Sequence, residues 1–514
     1  MDASNLLSKR AHLTPDREAL LELESGRRFT YSDLDLRANK AAKILLSLGV
    51  AEGDCFSILA HNCIAFIDLF YAAGKIGAVF APLNWRLAAN ELVYIVNDCR
   101  PKVIFCDADF AETLAEMQSE IELDNIISLG SASIEGALDY EQALTAVKGS
   151  EPVIPPTLNE DSPYCILYTS GTTGRPKGAI IPHRQVLWNC INTASSWGIT
   201  EDDVSPVFTP LFHAGGLFAF MTPMLYLGGR IVLSKGFDPF ETLRVIQKEK
   251  CTVILGVPTL FQMWLDAEGF DQIDFSHVRF FISGGAPCPV PLMEEWRRRA
   301  GTVFRQGYGL SEAGPNCFSM TDEESGPKSG SVGKPIFFSK MRLVDEEGND
   351  VPVGETGELL IKGPHVCSGY LNNTRATNEA IEDGWFHTGD MARMDKDGFY
   401  TIVGRFKDMI ISGGENIYAA EVEAVFLEHP AVLECALIGV PDEKWGEIGL
   451  MVTVLEVNHT ATERELREHC YSHLARYKVP KKVVFTDILP RSAYGKVEKV
   501  KLKEKYMTRT GSKA

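Results

Sequence analysis

From about residue 30 to residue 330, short runs rich in β-branched and aromatic residues alternate with stretches of helical period. That alternation limits the kind of core the chain can build. The runs Tyr164 to Tyr168, Thr252 to Val257 and Val278 to Ser283 are mainly apolar, and each is followed by a loop rich in Gly, Pro or Thr. A strand buried on both faces reads this way. Helical patterns lie between such runs, as where Leu92, Ile95, Val96 and Cys99 fall at i, i+3, i+4 and i+7. The expectation is an α/β fold with largely parallel sheets, in which ligands gather at the carboxyl ends of strands.

The texture changes twice further on. From about 330 to 404, short strands (Met341 to Val344, Glu358 to Lys362, Phe399 to Val403) are separated by the turn clusters Glu346-Glu347-Gly348-Asn349 and Asp395-Lys396-Asp397-Gly398. A small antiparallel or barrel-like lobe follows. After Gly404-Arg405 mixed α/β patterning returns. Val422, Val425 and Phe426 share a helical face, Val432 to Val440 reads as a strand, and Thr462 with Glu465 makes a capping-box signature before Leu466, Cys470 and Leu474. The predicted architecture is a large multi-lobed N-terminal domain over residues 1–407, with two α/β lobes and a β-rich lobe, and a smaller α+β domain over 408–514.

Composition removes several classes of function. The 514 residues are 45% hydrophobic and 23% charged, ordinary globular usage that favours neither disorder nor a membrane protein. The net charge of -18 repels nucleic acid, and no stripe of Lys and Arg interleaved with aromatics offsets it. An anionic nucleotide must then be held by local groups. The twelve cysteines are scattered without CxxC spacing, and several lie in apolar runs, as Cys165 does, so they read as reduced core thiols. The N-terminal segment has no apolar signal core, and the longest apolar stretch, Phe56 to Leu83, is broken by His61, Asn62, Asp68 and Lys75. A cytoplasmic chain without a membrane span is expected. The closing Ser512-Lys513-Ala514 carries Ala where a peroxisomal signal carries Leu.

The strongest local signal follows the apolar strand ending at Tyr168: Thr169-Ser170-Gly171-Thr172-Thr173-Gly174-Arg175-Pro176-Lys177-Gly178. Glycines free backbone N-H groups, hydroxyls add donors and Lys177 adds charge, so the loop suits phosphate oxygens. It is not a Walker A loop, because Gly178 rather than Ser or Thr follows Lys177.

This loop, with further segments in matching order along essentially the whole chain, resembles the adenylate-forming superfamily that contains acyl-CoA synthetases, luciferases and carrier-loading adenylation domains. The resemblance implies ATP, Mg²⁺ and coenzyme A as the molecules handled. In Gly307-Tyr308-Gly309-Leu310-Ser311-Glu312 a glutamate beside a triphosphate makes sense if a divalent cation lies between them. Glu312, with Thr169, is the expected metal site. The family pattern sets Tyr308 against adenine, Ser311 near the phosphates, and Gly284-Gly285-Ala286-Pro287 as a backbone wall, although that turn alone reads equally as a loop. Asp390, in Thr388-Gly389-Asp390, and Arg405 would bracket the ribose. By themselves they would be an ordinary ion pair.

Lys496 follows Gly495 in a basic tail that also holds Lys499, Lys501, Lys503 and Lys505, where a solvated lysine is the plain reading. The resemblance makes Lys496 the catalytic lysine, placed where carboxylate attack on the α-phosphate brings like charges together. It also implies that the C-terminal domain turns about a hinge at Asp408 and brings Ser412, Gly413 and Gly414 to a thiol tunnel. Thr209 to Gly216, with Phe212, Phe218 and Met221, would line the acyl pocket, and His213 would lie near the carboxylate. No aspartate stands there to pair an ammonium, so a fatty, aromatic or alicyclic acid is expected rather than an amino acid. These aromatics also suit plain core. The expected activity is ATP-dependent ligation of an acid to coenzyme A with release of AMP and pyrophosphate. The alternatives are loading of a carrier protein, a luciferase-like oxygenase or a nucleotide-binding regulator. A homodimer is compatible with this reading.

Overall fold

The computed structural model describes all residues except 1, 124, 131–133, 135, 170–174, 414, 443, 493–495 and 511–514, with backbone alone for 508–510. A seven-stranded sheet runs in the order Leu138–Asp139, Asn125–Leu129, Val103–Asp107, Cys55–Leu59, Val79–Pro82, Pro163–Thr169 and Lys177–Pro182. Every neighbouring pair is parallel except the last, in which Thr169 lies opposite Lys177. The helix Ile64–Ile76 is apolar on all sides and buried along its whole length, as expected of a helix enclosed by other layers. Its one cation, Lys75, is neutralised by Asp35 at 2.8 Å.

A second layer combines the strands Val204–Val207, Arg230–Leu233, Glu18–Glu22 and Arg28–Thr30 with the parallel trio Val253–Gly256, Phe280–Ser283 and Val303–Gln306. The Thr252 N-H donates to the Val204 carbonyl at 2.8 Å and joins their edges. The expected strands are therefore present, each within two or three residues of its expected ends. The β-rich lobe is antiparallel as expected: Lys340–Val344, Thr356–Lys362, Trp385–Met394 and Ile381–Glu382 in order, with Tyr400–Arg405 on Trp385–Met394.

The C-terminal sheet runs Glu415–Ile417, Ile410–Ser412, Gly446–Leu455 and Val432–Asp442, with Lys482–Phe485 alongside Gly446–Leu455. Its side chains alternate between two cores. Leu437 and Met451 pack under the helices Ala419–Leu427 and Glu463–His473, while Ile438, Val440 and Val452 meet Leu502 and Tyr506 of the helix Lys499–Thr510. The Thr462 and Glu465 capping box closes with bonds of 2.7 and 3.2 Å. All twelve cysteines are free thiols. Among the described residues no helix is long and apolar enough to cross a membrane.

Candidate active site

The edge hairpin Pro163–Thr169 and Lys177–Pro182 brings Thr169 and Lys177 across from each other at the carboxyl end of the parallel strands. Ser170, Gly171, Thr172, Thr173 and Gly174, the body of the expected phosphate loop, lie outside the described residues. The Thr169 hydroxyl donates to Glu312 Oε1 at 3.4 Å, and the Lys177 ammonium stands 5.1 Å from the centre of the Tyr370 ring.

Glu312 is presented by a tight turn. The chain leaves the strand Val303–Gln306 with the Gly307 N-H on the Ser283 carbonyl at 2.7 Å, and the Leu310 N-H closes on Gly314 at 3.1 Å. Gly309 is required there because a Cβ would run into the Pro315 carbonyl. From outside the turn, Gln185 Nε2 holds the Ser311 carbonyl at 2.9 Å and the Cys367 N-H holds the Glu312 carbonyl at 2.7 Å. Glu312 is only 7% exposed; the Lys496 charge acts on it, yet among the described residues no cation forms a close ion pair with it. A buried carboxylate without a close counter-charge is costly. A hard divalent cation that takes oxygen ligands fits this donor set, with Glu312 and the Thr169 hydroxyl on its protein side.

Asp390 and Arg405, expected to bracket a ribose, form an ion pair with each other. The two are partners across the Trp385–Met394 and Tyr400–Arg405 ladder, with Arg405 Nε on Asp390 Oδ1 at 3.1 Å. Tyr308 donates its hydroxyl to Asp390 Oδ2 at 2.6 Å, and burial beside that carboxylate holds the phenol well above its ordinary pKa. Gly389 takes a left-handed φ of 67°, and the Asp390 N-H donates to the Thr388 hydroxyl at 3.0 Å, which aims the carboxylate inward.

Lys496 belongs to a tight return in which the Ser492 N-H meets the Lys496 carbonyl at 2.8 Å. Surrounding protein, then the Arg405 guanidinium, pull its pKa below the ordinary lysine value, against the opposing pull of Asp390 and Glu312. Lys496 is nevertheless exposed to solvent, at the edge of these charged groups rather than sealed among them. His213 faces the same space. Burial above all, then the Arg86 and Lys496 cations, lower its pKa to about 3, so it is neutral at physiological pH. Thr169, Tyr370 and Glu312 are joined by hydrogen bonds, as are Tyr308, Asp390 and Arg405, and Lys496 lies near enough for its charge to act with those of Asp390, Glu312 and Arg405 and on His213.

Phe212, Phe218 and Met221 are buried. Leu217–Met221 forms a π-turn in which the Thr222 N-H reaches back to the Leu217 carbonyl. Three carbonyls there accept side-chain donors: the Thr222 hydroxyl on Leu217 O at 2.6 Å, Asn189 Nδ2 on Phe218 O at 2.7 Å and Asn316 Nδ2 on Ala219 O at 2.9 Å. Gly285, Ala286 and Pro287 are exposed beyond the strand Phe280–Ser283, with Gly285 at a φ of 77°. Asp408 ends the short turn Phe406–Asp408 between the β-rich lobe and the C-terminal sheet. Ser412 and Gly413 make their recorded contacts within the C-terminal lobe, where the Gly413 N-H donates to the Trp445 carbonyl at 2.8 Å, and Gly414 lies outside the described residues.

The sequence reading missed Tyr370, Gln185, Asn189 and Asn316. Gln185, Asn189, Asn192 and Thr193 fall on one helical face, and polar residues at that spacing on an otherwise buried helix were the available signal.

Comparison with known proteins agrees with this geometry. The family model described as AMP-binding enzyme matches residues 7–371, and that described as AMP-binding enzyme C-terminal domain matches residues 421–496. A feruloyl-CoA synthase of an Amycolatopsis species is 38% identical over 97% of this chain and 98% of its own. An indoleacetate–CoA ligase of Aromatoleum aromaticum is 35% identical over 97% of each. The crystal structure of an anthranilate CoA ligase in complex with anthranoyl-AMP superposes with a TM-score of 0.91 at 26% identity, covering 99% of this chain and 98% of that one. The fold and these relatives together define an acid–thiol ligase that works through an acyl adenylate. The chain belongs to the AMP-binding enzyme family, in its acyl-CoA synthetase branch, and uses ATP, Mg²⁺ and coenzyme A.

Proposed function

We propose that this enzyme adenylates an aromatic or aryl-substituted carboxylic acid at the opening between its domains (1–407 and 408–514) and passes the acyl group to coenzyme A there. The observation that carries the proposal is the convergence of Lys496 from the C-terminal domain with Glu312, Asp390, Arg405 and neutral His213 from the N-terminal one. The aromatic preference draws support from the aryl acids named for the feruloyl-CoA synthase and the indoleacetate–CoA ligase, and the absence of an acidic residue in the stretch Thr209 to Met221 speaks against an amino acid.

In the first half-reaction an acid oxygen attacks the α-phosphorus of ATP and the pyrophosphate oxygen leaves. Two like unit charges at about 4 Å repel by about 4 kcal/mol at an effective dielectric of about 20. In our reading Lys496 lies between carboxylate and phosphate and offsets that repulsion. Tyr308, Asp390 and Arg405 hold the nucleoside, with the wall at Gly285, Ala286 and Pro287. Thr169 to Lys177 and Ser311 hold the phosphates. Glu312, with Thr169, holds Mg²⁺, which when bound neutralises phosphate charge. His213, uncharged, orients the acid, and the acyl body lies against Phe212, Phe218 and Met221. The C-terminal domain then turns at Asp408, Lys496 withdraws, and Ser412, Gly413 and Gly414 come to line the thiol path. The thiolate attacks the acyl carbon and AMP leaves. The twelve free thiols support a reducing, cytoplasmic setting.

Acid-dependent pyrophosphate release across aryl and fatty acids, with and without coenzyme A, tests the reading. Release with aryl acids and turnover that needs coenzyme A is expected, whereas no release with any acid would overturn it. Lys496→Ala should slow adenylation by at least about 100-fold, yet spare thioester formation from supplied acyl adenylate. Equal loss of both half-reactions would refute the role given to Lys496.

A further inference from the structure

Tyr370 belongs to no expected motif, yet it touches two groups of the phosphate side at once. Its hydroxyl donates to Glu312 Oε1 at 2.9 Å while its ring lies under the Lys177 ammonium at 5.1 Å. Its own position is built in. The segment carrying it runs beside the strand Lys177–Pro182 as an extra edge, with Ile180 N-H on Gly369 O at 2.9 Å and Leu371 N-H on Gly178 O at 2.8 Å. The Tyr370 N-H donates to Thr377 at 2.9 Å. Arg184 grips the same segment through the carbonyls of Pro364 and Val366, and the adjacent Gln185 grips the Glu312 turn through Ser311 O. Two consecutive residues at the start of the helix His183–Trp197 thus hold tyrosine and glutamate against each other.

The consequence lies in how the carboxylate is divided. The hydroxyls of Tyr370 and Thr169 both reach Oε1, at 2.9 and 3.4 Å, and among the described residues no donor reaches Oε2. We infer that Tyr370 is a positioning residue: it occupies one oxygen of Glu312 and turns the other toward a divalent cation as a one-oxygen ligand, while its ring keeps Lys177 on the phosphate side. Mg²⁺ demands near-ideal octahedral geometry and tolerates little freedom in a ligating carboxylate, and a partner that orients a ligand raises its affinity. The inference rests on the proposed role of Glu312.

The test uses the full-length enzyme with α,β-methylene-ATP, which cannot be cleaved at the reacting bond, and Mn²⁺ as a paramagnetic stand-in for Mg²⁺. Free Mn²⁺ is read by electron paramagnetic resonance. Tyr370→Phe, which keeps the ring, should weaken Mn²⁺ binding by about tenfold or more, with the acid KM unchanged and the loss of adenylation rate recovered by raised Mg²⁺. Unchanged Mn²⁺ binding in Tyr370→Phe overturns the inference. Glu312→Gln separates the two levels. If it abolishes Mn²⁺ binding while Tyr370→Phe does not disturb it, only the role of Tyr370 falls; if neither changes binding, the metal role of Glu312 falls first. Should Tyr370→Phe not fold, Tyr370→Leu removes the hydroxyl and the ring together, and Mn²⁺ binding equal to wild type in that variant overturns the inference all the same.

Discussion

His183, the first residue of the helix that holds the Glu312 turn, is fully buried and accepts the Ala3 N-H on Nδ1 at 3.2 Å. Burial lowers its pKa to about 4. The unfolded chain then binds a proton that the folded chain refuses, so stability is complete above the ordinary histidine value and declines as pH falls from about 6.5 toward about 4. The loss attributable to His183 approaches about 3 kcal/mol at the lower end. Denaturant unfolding at pH 7 and pH 4.5 should show a steeper decline in wild type than in His183→Gln, and parallel declines would reject it. Of the charged residues given site roles, Glu312 was marked by its glycine-rich turn, whereas Asp390, Arg405 and Lys496 took their expected roles from the family resemblance, since by themselves they read as an ion pair and a solvated lysine. Tyr370 was not marked, because its partner is 58 residues away and Ser368-Gly369-Tyr370-Leu371 reads as a turn into a loop. Nothing local marks a hydroxyl that matters through a distant carboxylate.

Elements were legible where burial imposes a period. Strands such as Pro163–Thr169 and Phe280–Ser283 announced themselves as apolar runs, and the helix Glu463–His473 by its cap. The π-turn Leu217–Met221 did not, since five consecutive apolar residues give no period that separates it from ordinary buried helix. Its wider turn leaves carbonyls to be met from outside, and Asn189 and Asn316 meet them. Asn189→Ala should lower stability by about 1–3 kcal/mol because the buried Phe218 carbonyl loses its donor. It should also shift the relative kcat/KM among acids while leaving ATP affinity in place. A stability loss with unchanged acid preference would remove the π-turn from the acyl pocket.

At the scale of the molecule, the α/β layers and the antiparallel lobe followed from texture alone. The docking of the C-terminal lobe did not, because few residues carry it and none repeats. Asp408→Pro removes backbone freedom at the proposed pivot. It should leave acid-dependent pyrophosphate release largely intact while slowing thioester formation from supplied adenylate, and equal effects on both would place the pivot elsewhere. The return that bears Lys496 is tied into its own lobe by Arg491 on Glu434 at 2.6 Å and Lys499 on Glu423 at 2.6 Å. On the proposed reading the lysine then leaves the site only with the lobe, and turnover has a clock with two strokes that never overlap. In rapid mixing, pyrophosphate equal to the enzyme concentration should appear ahead of the steady state whenever the lobe's return is the slower stroke, and that burst should vanish in variants whose adenylation has become slower than the return.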